Sequence, residues 1–141
     1  MATPGPSDAL RAWLDTSPED RGRLDHADIH TIMTTPELGL DPEVVGPLFH
    51  PTESRLFEPA AELVGGDAIR SHLSDRGASR AAMTLEQVGP AMFNGNCTAF
   101  EWLARVPANG SSTALRGTSV CRYSDGWVTY ACDYYDTAEL A

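Results

Sequence analysis

The second half of the chain holds four long runs suited to β-strands, at residues 83 to 88, 97 to 106, 113 to 123 and 127 to 135. Turn residues separate them: Asn94-Gly95-Asn96, Asn109-Gly110-Ser111 and Ser124-Asp125-Gly126. Asn, Asp and Gly tolerate the backbone of a tight reversal, and the last two clusters suit hairpins. Helix signals crowd the first half, so the order is helices first and an antiparallel sheet afterwards. That is an α+β arrangement with no βαβ alternation. A strongly curved sheet wrapped over helices would enclose one cavity open at an end.

Residues 1 to 7 are rich in Pro and Gly and read as a tail. Ala9, Leu10, Trp13 and Leu14 then recur at helical spacing and predict a short helix. Residues 1 to 16 are therefore set apart as tail and extra helix, and residues 17 to 141 form one domain. Ser17-Pro18-Glu19-Asp20 places a capping Ser, a Pro and two acids in helix-start order, and predicts a helix to about residue 34, stopped by Pro36. His26, Ile29, His30 and Met33 fall on one stripe of it. Asp41-Pro42-Glu43 opens a shorter helix through Val44, Val45, Leu48 and Phe49, ended by Pro51. Residues 53 to 58 alternate as a strand, with Leu56 and Glu58 on one side. Gly65-Gly66-Asp67 caps another helix, in which Ile69 and Leu73 share a face and Gly77 is the natural stop.

A length of 141 residues suits one core and leaves no room for a second full domain. Ten basic residues stand against twenty acidic ones, a formal charge of -10, and the arginines are scattered. Nucleic acid, which needs a basic stripe, is not an expected partner, and an anionic membrane surface is disfavoured for the same reason. The first ten residues carry neither a basic nor an apolar signal region, so the expected location is cytoplasmic. Cys97, Cys121 and Cys132 are odd in number and contain no CxxC pair, which argues against a disulfide framework and a structural zinc site. His26 and His30 stand at i, i+4, but no third ligand has suitable spacing, so no metal is expected. Neither a GxGxxG turn nor a phosphate-loop lysine occurs.

Three segments occur in the order found in SnoaL-like members of the NTF2-like superfamily. Residues 41 to 49 followed by Leu56-Phe57-Glu58-Pro59 resemble that family's helix and following strand. Gly66-Asp67-Ala68-Ile69-Arg70 resembles its "G-x-x-A-I-R" helix start. Gly117-Thr118-Ser119-Val120, Arg122-Tyr123, Asp125-Gly126 and residues 132 to 136 are similar to its terminal hairpin. The likeness covers roughly residues 41 to 136; the first 40 match less well, because the family's one long helix is interrupted here.

The resemblance implies an NTF2-like cone, with N-terminal helices packed on a curved sheet around one apolar pocket. It also implies one or two pocket carboxyls that move protons near neutral pH. Glu58, before Pro59, matches the general base of isomerase-type members, and Asp133 matches the last-strand acid of cyclase-type members. Alternation places Asp133 on the face of Ala131 and Tyr135, where Tyr135 can donate a hydrogen bond to a substrate oxygen. Ser119 stands one strand earlier, where the family often has His or Asp, so no acid or base is expected from that site. Phe100 and Trp102 form an apolar wall, Cys121 shares the parity of Ser119, Leu56 shares that of Glu58, and His30 lies on a helix that walls the pocket in the family.

The expected function is cofactor-free cyclisation or isomerisation of a hydrophobic, polyketide-like intermediate of antibiotic-type secondary metabolism. Asp133, Glu58 and Tyr135 would be catalytic, with Ser119, Trp102, Phe100, His30, Cys121 and Leu56 binding substrate. Epoxide opening requires two pocket acids; a pericyclic cyclase or a non-catalytic binding or dimerisation module requires none. Sheet-to-sheet homodimers are common in the family, and Trp127 with the outward side chains of the last strands would serve such an interface.

Overall fold

Helix α1 (Asp8–Asp15) begins where Ser7 accepts a hydrogen bond from the Leu10 amide at 3.0 Å. A computed structural model describes residues 6–79, 83–108 and 110–136, with side chains except at 77–79 and 108. The expected tail at residues 1 to 5 and the turn residue Asn109 lie outside the described residues. Leu10 and Trp13 face inward from α1 and are buried, because they lie three residues apart on one side of the helix.

The helix expected from Ser17 is not formed there. Pro18–Asp20 makes one 3-10 turn, and the helix proper, α2 (His26–Thr34), starts eight residues later behind Asp25, whose Oδ1 accepts from the Asp28 amide at 2.9 Å. The intervening chain is committed to α1 instead. Arg21 Nε donates to the carbonyls of Trp13 at 2.8 Å and Thr16 at 3.0 Å, and the Trp13 indole donates to Gly22 O at 2.7 Å. Those bonds satisfy the orphan carbonyls at the end of α1 and hold residues 21 to 25 out of a helix. Two one-turn helices follow, α3 (Pro36–Gly39) and α4 (Pro42–Val45), each opened by Pro, and a further 3-10 turn spans Gly46–Leu48.

Strands β1 (Arg55–Glu58) and β2 (Ala61–Val64) form a tight hairpin, of which the sequence showed only the first arm. Helix α5 (Gly66–Ser79) runs past Gly77. The long strands are β3 (Thr84–Phe93), β4 (Cys97–Ala108), β5 (Ser111–Ser124) and β6 (Trp127–Tyr135). The first three extend beyond the runs legible in sequence. β3 continues through Gly89-Pro90 because the register against β4 shifts between Val88 and Met92, which takes up the missing Pro donor.

The six strands lie in the order β2-β1-β6-β5-β4-β3. All neighbours are antiparallel except β1 and β6, where Leu56 faces Ala131 in parallel register. Helices cover one face of this curved sheet. Leu10, Ile29, Ile32, Phe49, Ile69 and Val128 are fully buried between the two layers; each contributes about 1.5–3 kcal/mol of transfer free energy. A second cluster of Trp102, Ala104 and Leu115 sits further along β4 and β5, with Met83, Leu85, Phe100 and Tyr135 packed against it.

Candidate functional site

A cavity of about 320 Å³ is lined by members of both clusters. Leu56 from β1, Phe100 and Trp102 from β4, Ser119 and Cys121 from β5, and Asp133 and Tyr135 from β6 all face it. The two-residue period of the strands is the reason: Ala131, Asp133 and Tyr135 project to one side of β6, and Ser119 lies directly opposite Asp133 across the β5–β6 pair. Among the described residues on the wall, Asp133 is the one carboxylate and Arg76 the one basic side chain.

The Asp133 carboxylate is held from two sides. Ser119 Oγ donates to its Oδ1 at 2.7 Å, and Arg76 Nη1 stands 3.3 Å from its Oδ2. Ser119 in turn accepts from the Trp102 indole N–H at 2.9 Å, so its single proton is directed onto Asp133. The Trp102 ring lies against Gly117, its register partner on β5, where any Cβ would overlap the indole. Tyr135 packs against Trp102 with ring centroids 5.9 Å apart.

Glu58 occupies a different place from the one expected of a pocket base. Its side chain is only 7% exposed, yet it does not face the cavity. It pairs with Arg76 Nη1 through Oε2, and with His72 Nε2 through Oε1 at 2.8 Å. Burial pushes the Glu58 carboxyl up, but the Arg76 guanidinium and the His72 hydrogen bond outweigh it and hold the group below the usual carboxylate range. A carboxylate so engaged secures Arg76 from behind. Among the described residues the wall therefore presents one acid where epoxide opening would need two.

His30 also lies off the cavity wall. Its Nδ1 is 2.9 Å from Thr98 Oγ1, its ring stacks on Phe93 at 4.7 Å, and burial lowers its pKa. Its i, i+4 companion His26 accepts from the Gly126 amide and bonds Gly95 O, tying two turns together. Neither reaches a pocket carboxylate, because α2 presents them to the β3–β4 and β5–β6 turns and to Thr98. Cys121 does line the cavity, but burial first, and then the neighbouring Asp133, push its thiol pKa up, so it stays protonated.

Arg76 and His72 are the members of this cluster that the motifs missed. A signal was present: Ile69, Leu73 and Arg76 stand at i, i+4 and i+7, which puts Arg76 on the buried face of α5. His72 lies one turn before Arg76, within reach of the same partner.

No family model matches the sequence, and no curated protein does. Solved structures do match in fold. An NTF2-like protein of unknown function from Cytophaga hutchinsonii superposes with a TM-score of 0.66 at 12% identity, covering 79% of this chain and 96% of its own. A SnoaL-like family protein from Agrobacterium tumefaciens gives 0.60 at 20% identity over 76% and 97% of the two chains. TerC, co-crystallised with polyporic acid, gives 0.64 at 16% identity over 88% and 95%. The architecture is thus the NTF2-like cone. Within that class the likeness includes SnoaL-like proteins and a protein with a ketosteroid isomerase-like fold, and at 12–20% identity it shows the fold alone. Among the described residues, no helix is long and apolar enough to cross a membrane.

Proposed function

We propose that the chain is a cofactor-independent cyclase or isomerase of natural-product biosynthesis, acting in the cytoplasm on an apolar, polyketide-like substrate through acid/base chemistry at Asp133. The observation that carries this is a single carboxylate, among the described residues, on the wall of a largely apolar cavity, oriented by Ser119 and, through it, by Trp102. A base in such a place removes a proton from a substrate carbon beside a carbonyl and returns it to the new oxygen or carbon. Phe100, Trp102 and Leu56 supply the surface against which an apolar chain folds, and holding the reacting atoms together supplies much of the rate. Tyr135 hydrogen-bonds a substrate oxygen on the same wall. Homodimerisation across the outer sheet face, where Tyr134 and Val64 are exposed, belongs to the same reading. Trp127 has a reduced part there, since His50 and Arg23 already pack on its ring.

The test is hydrogen exchange in D2O. Purified protein is incubated with a panel of apolar β-diketones, and loss of the α-proton signal is followed by NMR. Wild-type protein accelerates exchange of at least one compound, and Asp133→Asn slows it by about 10²–10⁴-fold, the usual range for a general base. Exchange that survives the substitution undamaged refutes Asp133 as the base. Binding without exchange, unaffected by Asp133→Asn, points to a non-catalytic small-molecule carrier.

A further inference from the structure

We infer that the floor of the cavity is a specificity pocket for an apolar arm of the substrate, and that Ala131 sets the length of that arm. The substrate class is a carbonyl compound with an unbranched alkyl chain on one side of its reacting carbon. The inference rests on the reading of Asp133 as the reacting group and adds what lies beyond it.

The sheet register locates the floor. Leu56, Ala131 and Cys121 stand side by side on β1, β6 and β5, since Ala131 is the register partner of both the others. All three line the cavity, and they are 3%, 5% and 3% exposed. Among the described residues the lining ends at this level. The next inward residues are Thr98 on β4, Tyr123 on β5 and, past the register shift, Val128 on β6; they are buried and off the wall. Thr98 and Tyr123 are hydrogen-bonded to each other and form a closed layer behind the floor. In the opposite direction the wall continues past Asp133 to Leu115 and Val106, and reaches solvent at Gln87 and Pro107, which are exposed. Asp133, its side chain 19% exposed, lies between the two ends. Two residues of strand separate it from Ala131, a depth of about 7 Å.

Side-chain size shapes this end. Ala131 carries only a methyl group between the longer Leu56 and Cys121, and side chains stand nearly perpendicular to a sheet. The result is a notch one side chain wide, open toward Asp133. Phe49, 1% exposed, and Leu73 of α5 complete its walls. The notch holds no charge: burial keeps the Cys121 thiol protonated, and the other side chains are hydrocarbon. A polar substituent there loses its hydration without a partner, whereas each methylene removed from water raises affinity about fourfold. A straight chain of pentyl length fills such a depth, while a branched or cyclic group is wider than the notch. A chain seated on the floor brings the attached carbonyl carbons level with Asp133 and Ser119, so arm length decides which carbon meets the base.

The probes are 2,4-pentanedione, 2,4-heptanedione and 2,4-nonanedione, which share one dicarbonyl and differ in the arm alone. Titration calorimetry measures the affinity of each. In wild type, affinity is expected to rise at least tenfold from the shortest to the longest. Ala131→Leu sets an isopropyl group on the floor, and should lower the ratio of 2,4-nonanedione to 2,4-pentanedione affinity by at least tenfold. Ala131→Val lowers the ratio less, and takes the place of the Leu variant if overpacking unfolds it; near-UV circular dichroism reads which of them keep the fold. A wild-type affinity that does not rise with arm length overturns the inference, as does a ratio unchanged in a folded Ala131 variant. Equal weakening toward all three probes also overturns it, because the floor would then select nothing. Hydrogen exchange of the same compounds separates the two readings. Exchange that persists in Asp133→Asn, beside a ratio that collapses in the Ala131 variants, refutes the base and leaves the length selection standing. Exchange lost in Asp133→Asn, beside no length dependence in wild type, overturns this inference alone.

Discussion

Glu58 shows how one side chain can be buried, charged and still off the cavity wall. Its carboxyl is held low by Arg76 and His72 against the opposing effect of burial, so the ionised form favours the folded chain. For an acid depressed on folding, that contribution is complete above the unfolded value of about 4.3 and disappears as pH falls through the lower folded one. Glu58→Gln should therefore flatten the acid limb of the stability curve below about pH 4.3 and lower urea stability at pH 7 by about 3 kcal/mol, the cost of breaking a buried pair. An unchanged acid limb would show that the pair contributes nothing. His30 acts in a separate window: burial depresses its pKa, so its contribution is lost as pH falls below about 6.5. At this scale the period-two reading of β6 located Asp133 beside Ala131 and Tyr135 on the cavity wall. It could not locate Arg76, two of whose partners lie 18 and 57 positions away in sequence.

Among the elements, β5 sets the geometry of the wall. Gly117 is needed there for space, because Trp102 lies where a side chain would be. Gly117→Ala is expected to lift the indole, break its bond to Ser119 and destabilise the fold by about 1–3 kcal/mol through overpacking. Indole fluorescence reads the displacement directly, and Gly117→Ala/Trp102→Leu should recover part of the loss. An emission spectrum identical to wild type would mean the ring is not held by this contact. The last three strands were legible over most of their length because their strand-like runs lie between strong turn signals, whereas only the first part of β3 was, before Gly89-Pro90. The β1–β2 hairpin was half hidden, since four residues containing Glu62 hold too little pattern to register. The Ser17 start signal misled for a related reason: local capping residues say nothing about Arg21 and Trp13, which draw the following segment onto α1.

For the molecule as a whole, the cavity is a concave, largely apolar surface. A ligand that enters it stabilises the fold by mass action, about 2.7 kcal/mol at a hundredfold excess over its Kd. With 141 residues this corresponds to a rise in Tm of roughly 10 °C. Thermal scans against a panel of apolar cyclic ketones should find such compounds, with a negative heat-capacity change on binding; a flat response across the panel would count against a small-molecule role. The α+β order and the cone were readable from helix and turn signals together with the terminal hairpin. The parallel junction of β1 with β6 was not, because no local pattern encodes it.

That junction also orders events in time. On the ribosome β1, β2 and α5 emerge well before β6, yet β1 has no sheet to join until β6 is made, since Leu56 must wait for Ala131 and Phe57 for Cys132. The nascent first half thus carries Glu58, His72 and Arg76 without Asp133, and its apolar helix faces without their cover. Closing so long a loop is slow compared with forming the local hairpins, so β3 to β6 should assemble first and recruit the earlier hairpin last. The acid of the cavity and its arginine would then meet only in the final step of folding.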